Sequence, residues 1–224
     1  MFKKNLIRTV VTALLGVVAG SASAAVFTLD FEGLKDLEHI QSFYNGGTGS
    51  MGSTGPDVDV VFGANAQAII DKDAGGTGNI ANEPTPNTVM FFLTGQSAVL
   101  NYSAGFTTGF SFWYSTVEFD GYVDVWDSEN ATGNKLGSIP LVQLGTATDC
   151  GDPTGDFCRW AIGSLAFNGT AKSIDFGGTI DQVAYDNITF GSTNPNAGRV
   201  PEPVSLALVG LALIGVAAQR RRRA

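Results

Sequence analysis

From Val26 to Phe190 the chain alternates short apolar runs with clusters of Gly, Asn, Asp and Pro. The runs are rich in Val, Ile, Phe, Tyr and Thr, which favour a pleated, half-buried surface, and the clusters between them are turn formers. The clearest runs are Val26–Glu32, Val58–Phe62, Ala66–Ile70, Thr88–Leu93, Ala98–Tyr102, Gly109–Val117, Tyr122–Asp127, Arg159–Phe167, Ser173–Phe176 and Gln182–Phe190. No long 3.6-residue apolar period interrupts them, so little helix is expected beyond a turn near Leu34–His39. About ten short strands in this length predict an all-β, antiparallel β-sandwich of jelly-roll type.

One piece carries a register prediction. Asp120-Gly121 is the residue pair of a two-residue type I′ turn. Such a hairpin pairs Phe119 with Tyr122, Val117 with Asp124 and Ser115 with Trp126. Alternation then gathers Trp113, Ser115, Val117, Phe119, Tyr122, Asp124 and Trp126 on one face and leaves Phe110, Phe112, Tyr114, Val123 and Val125 on the core face. An aromatic face bearing a Ser and an Asp suits the flat apolar side of a sugar ring and its hydroxyls. Trp113, Tyr122, Asp124 and Trp126 are therefore the candidate glycan-binding residues.

The two ends read differently. Lys3, Lys4 and Arg8 precede the apolar run Val10–Gly20, and Ala22-Ser23-Ala24 offers a small-x-small cleavage pattern. Residues 1–24 are thus expected to be a signal peptide, helical in its apolar part. Residues 25–190 form the sandwich domain, and 191–199 have linker composition. Val204–Ala218 is an uncharged apolar run except for Ser205, followed by Arg220–Arg223. Its fifteen residues give about 22 Å of helix, short of a hydrocarbon core of about 30 Å, so a short transmembrane helix is expected that spans with bilayer thinning or snorkelling flanks. The arginines would keep their end cytoplasmic.

Charge sharpens the picture of the exported part. The whole chain carries a formal −8, but seven of its thirteen basic residues lie in the terminal segments. Residues 25–199 hold six basic against twenty acidic residues, a net charge of −14. That excludes nucleic acid as a natural partner and is compatible with divalent cations. Cys150 and Cys158 are the two cysteines, and in an oxidising compartment they are expected to close a short loop.

Several letter patterns lead nowhere. Gly47-Thr-Gly49-Ser-Met-Gly52 spells a dinucleotide fingerprint without a strand–helix unit around it. His39 is the single histidine, no GxSxG elbow is present, and no carboxylate pair is marked out for glycoside hydrolysis. Asp71-Lys-Asp73-Ala-Gly-Gly-Thr-Gly-Asn79 places alternating carboxylates before glycines as calcium loops do, but lacks the twelfth-position Glu of an EF-hand. It reads as a solvated turn. Its GGTGN echoes GGTGS at Gly46–Ser50, without a longer repeat.

Two resemblances add to this reading. Val200-Pro201-Glu202-Pro203, the short apolar run and the Arg cluster closely resemble the PEP-CTERM sorting signal of Gram-negative bacteria that make extracellular polysaccharide (residues 200–224). The resemblance implies recognition in the inner membrane by an exosortase, with delivery to the cell surface or extracellular matrix. In the body, Leu29-Asp30-Phe31-Glu32-Gly33 and Ala184-Tyr185-Asp186-Asn187-Ile188 resemble the first and last strands of jelly-roll carbohydrate-binding modules. That resemblance implies a structural Ca2+ ion with Glu32 and Asp186 as side-chain ligands. The expected function is a non-catalytic structural or glycan-binding module of the extracellular polysaccharide layer; the alternative is an extracellular glycan-active hydrolase or lyase.

Overall fold

The computed structural model describes residues 26–145, 150 and 155–197. The signal peptide, the apolar tail and the sorting motif lie outside these residues. Among the described residues eleven strands form two antiparallel sheets, and no helix forms. In chain order they are β1 (Phe27–Leu29), β2 (Val60–Phe62), β3 (Ala66–Ile70), β4 (Thr88–Phe92), β5 (Ser97–Phe106), β6 (Phe110–Thr116), β7 (Gly121–Ser128), β8 (Thr132–Leu141), β9 (Ala161–Leu165), β10 (Ala171–Gly178) and β11 (Val183–Phe190). The first sheet runs β3-β4-β11-β6-β9, with β1 also on β11; the second runs β2-β5-β10-β7-β8.

Period-two alternation sets the core. β6 turns Phe110, Phe112 and Tyr114 inward, and β7 does the same with Val123 and Val125. Phe176 of β10 meets Tyr185 of β11 across the sandwich with ring centroids 4.9 Å apart, and Phe27 stacks on Phe190 at 4.7 Å. Edge-to-face and stacked ring contacts add to the stabilisation from the area that each ring removes from water.

The hairpin expected at Asp120-Gly121 does not form. β6 belongs to the first sheet and β7 to the second, and residues 117–120 cross from one to the other. β6 pairs with β11 and β9, while β7 pairs with β10 and β8. The physical reason lies in the inward side chains. Two strands with one apolar face each bury those faces equally well beside each other or across a core, and here the core separates them. Trp113 thereby parts from Tyr122, Asp124 and Trp126.

β8 has no counterpart among the apolar runs. Its segment TGNKLGSIPL carries Gly, Asn, Lys and Pro, and it lies at the edge of the second sheet. Edge strands tolerate and use these residues because one row of backbone groups faces solvent. Of the segment with linker composition, residues to Ala197 lie against the domain. Pro195 is buried and its carbonyl accepts a hydrogen bond from Thr189 Oγ1 at 3.0 Å.

The long connection from β1 to β2 has no strand of its own. Glu38, fully buried, organises it: its carboxylate accepts from the backbone N–H of Lys35 (2.9 Å), Met51 (2.8 Å) and Ser53 (3.1 Å) and from Ser53 Oγ (2.5 Å). Burial opposes its charge, but the Ser53 hydroxyl and these N–H groups outweigh it and hold the carboxyl below its ordinary value.

Candidate functional site: the outer face of the second sheet

The side of β7 that faces away from the core carries Tyr122, Asp124 and Trp126. Their neighbours on β10 are Gly177, Asp175 and Ser173, and on β8 Pro140, Ser138 and Lys135. Gly177 lets the Tyr122 ring lie flat on the sheet, since a Cβ there would meet the ring carbon Cζ at 2.0 Å. Tyr122 is 37% exposed, Trp126 is half-buried and Asp124 is buried.

Lys135 links this group. Its Nζ donates to Asp124 Oδ2 at 2.5 Å and stands 5.3 Å from the centroid of the Trp126 ring. Three polar atoms of this face are buried without a hydrogen-bond partner: Asp124 Oδ1, Asp175 Oδ1 and Trp126 Nε1. Burial raises the carboxyl of Asp175, with the neighbouring Asp124 adding to the effect. Burial also raises the Tyr122 hydroxyl, and Asp175 and Asp124 push it the same way. Two acceptors and one donor between aromatic rings are groups that a polyhydroxylated ligand can satisfy.

Three of the four residues named from sequence are therefore on one face, for the reason given: they alternate on β7. Trp113 is on the outer face of the first sheet, where Asp186 and Ile162 flank it in register and its Nε1 lies 3.5 Å from Asn196 Oδ1. Sequence reasoning missed Lys135 and Asp175. Lys135 lies on the unrecognised edge strand. Asp175 falls in the expected Ser173–Phe176 run, but its neighbour across the sheet could not be known without the order of strands.

Glu32 and Asp186 meet a common segment. Thr85 gives its backbone N–H (2.8 Å) and its hydroxyl (2.6 Å) to Asp186 Oδ2, and Thr88 gives its N–H to Glu32 Oε1 at 3.0 Å. A register shift in β11 between Asp186 and Thr189, with Asn187 at φ +50°, places two residues between the core side chains Tyr185 and Ile188. This β-bulge aims Asp186 at the segment. Phe31, also at positive φ (+61°), gives its N–H to the buried Tyr44 hydroxyl at 2.7 Å. Burial raises the Tyr44 hydroxyl well above its ordinary value, and nearby Asp30, Asp186 and Glu32 add to that. The oxygens gathered here are carboxylate, hydroxyl and carbonyl, the donor set of a hard cation.

Cys150 and Cys158 are bonded, with Cα atoms 5.8 Å apart. His39 pairs with Gln67 in an isolated bridge at the edge of β3.

No curated protein matches the chain. Solved structures share limited likeness. A family 6 carbohydrate-binding module aligns at 17% identity over 57% of this chain and 82% of its own, with a TM-score of 0.36. The module CsCBM6-3 of Clostridium stercorarium, solved with cellobiose, aligns at 16% over the same shares and at the same TM-score. A family 43 arabinoxylan arabinofuranohydrolase of Bacillus subtilis, solved with cellotetraose, aligns at 16% over 58% of this chain and 25% of its own, with a TM-score of 0.38. The C-terminal segment gives the informative match: residues 199–223 fit the PEP-CTERM protein-sorting motif, the address of an exported protein sorted to the cell surface.

Proposed function

We propose that the protein is a non-catalytic, glycan-binding module held in the extracellular polysaccharide layer. Tyr122 and Trp126 supply the apolar surfaces, and Asp124, Asp175 and Lys135 face the hydroxyls. The observation that carries this reading is the set of three unpartnered buried polar atoms, Asp124 Oδ1, Asp175 Oδ1 and Trp126 Nε1, on one aromatic sheet face. Such groups are costly when dry and unpaired, and a ligand that pairs them binds with that energy. Asp124 is committed to Lys135, which favours holding a sugar over proton transfer.

The test is retention of the full chain on extracellular polysaccharide. Tyr122→Ala combined with Trp126→Ala should weaken retention at least tenfold, while Trp113→Ala leaves it unchanged. Equal retention of the double variant and the wild type rejects the face as the site. Release of shortened sugar would support the hydrolase or lyase alternative.

The tail completes the proposal. Pro201-Glu202-Pro203 stays extended because proline cannot continue a helix, which suits cleavage by an exosortase outside the inner membrane that holds the chain in transit. Intact mass of the surface-recovered protein should lack Arg220–Arg223. Calcium belongs to the same proposal: Glu32 and Asp186, with the Asp30 carbonyl and the Thr85 hydroxyl, would hold the ion and tie the first strand to the last. Chelation should lower the melting temperature of wild type by more than that of Asp186→Asn. At about 100 times its dissociation constant, the ion contributes about 2.7 kcal/mol.

A further inference from the structure

An open pocket lies beside the turn that begins at Asp71. It has a volume of about 370 Å³ and is lined by Asp71, Asp73, Asn82, Glu83 and Asn87 together with Cys150. Asp71 is only 4% exposed, and its Oδ1 has no hydrogen-bond partner. Its backbone N–H is already given to the Asn87 carbonyl at 2.8 Å, which fixes the turn against the 82–88 segment. A carboxylate oxygen in this position has lost its water and gained no donor.

We infer that this pocket binds a divalent cation of the calcium type. The polar side chains that line it are carboxylates and amides, and all offer oxygen. Oxygen-only sets select hard cations over zinc and copper. Among the described residues no three His, Cys, Asp or Glu side chains close around one point. The shell is therefore mixed: Asp71 and Asp73 give the charge, and amide oxygens, carbonyls and water fill the remaining positions. Calcium accepts six to eight such oxygens in loose geometry, whereas magnesium demands a tight octahedron. Asp73, exposed two residues along the same turn, stands at the entrance, and Asp71 forms the buried end.

The location gives the ion a task. The 82–88 segment is held from its other side by Asp186 through Thr85 and by Glu32 through Thr88. A cation at Asp71 grips the same segment from outside, next to the Cys150–Cys158 bridge. This inference stands independently of glycan binding.

Calorimetric titration of CaCl2 into the chelator-stripped full chain tests it. The expected result is a binding event that persists in Asp186→Asn, weakens at least tenfold in Asp73→Asn and vanishes in Asp71→Asn. MgCl2 should bind at least tenfold more weakly. Asp73 is exposed, so its variant reports on the site even if Asp71→Asn misfolds. Unchanged affinity and stoichiometry in Asp73→Asn overturn the assignment, as does equal affinity for magnesium.

Discussion

The two glycine loops share four letters and one backbone turn, yet the buried carboxylates beside them meet opposite fates. In the first, Gly47 N–H returns to the Ser42 carbonyl at 3.1 Å, with Gly46 at φ +65°. In the second, Gly76 N–H returns to the Asp71 carbonyl at 2.9 Å, with Gly75 at φ +94°. Both are six-residue turns closed through a left-handed glycine. The residues after each turn make the difference. Met51 and Ser53 come back over Glu38 and satisfy it, whereas beyond the second loop a pocket stays open and leaves Asp71 Oδ1 unpaired. Short motifs dictate backbone shape; the groups that enclose a charge come from residues farther along.

The strongest way to break this contrast is to neutralise each carboxylate in turn. Glu38→Ala strands the N–H groups of Lys35, Met51 and Ser53 in a buried site and should cost about 3 kcal/mol or more. Asp71→Asn in chelator should cost less than about 1 kcal/mol, because burial and the neighbouring Asp73 already disfavour the charge it removes. Thermal unfolding decides, and equal losses would erase the distinction.

A smaller effect comes from the glycines. A Cβ at Gly49 would meet Glu38 Oε1 at 2.4 Å, so Gly49→Ala should cost about 2 kcal/mol by displacing a saturated carboxylate. Gly75→Ala opens into empty space and carries only its left-handed φ, about 1 kcal/mol.

The smallest effect is in pH dependence, measured in chelator. Burial, then Asp73, pushes the Asp71 carboxyl up to about 6 from an ordinary 3.8. The folded protein therefore binds this proton more tightly than the unfolded chain does. The stability from Asp71 is complete below about pH 4 and is lost as pH rises through about 6. Glu38 has the opposite sign: its contribution is present above its ordinary value of 4.5 and fails as pH falls through its depressed one. Asp71→Asn should flatten the change between pH 4 and 6 and leave the acid limb in place.

The hydrophobic alternation located ten of the eleven strands and told β7's core residues from its outward ones. Val123 and Val125 point inward and Tyr122, Asp124 and Trp126 outward, as their spacing implied. It could not tell whether β6 and β7 lie side by side or face to face, because both arrangements bury the same residues. Trp113 was misplaced for that reason alone. β8 escaped notice because an edge strand needs few apolar residues. Glu38 carried no local signal, since the donors that satisfy it come from Met51 and Ser53, thirteen and fifteen residues away.

β11 leads into the sorting tail, and it is paired on one side with β6 and on the other with β4 and β1. Every residue from Val183 to Phe190 is buried. Any pull on that tail would act on the body as tension at the end of that strand. Tension along β11 loads its flanking backbone hydrogen bonds together in shear, whereas the same pull on an edge strand such as β8 would peel them one at a time. Such a pull would thus enter the domain through an interior strand braced on both flanks.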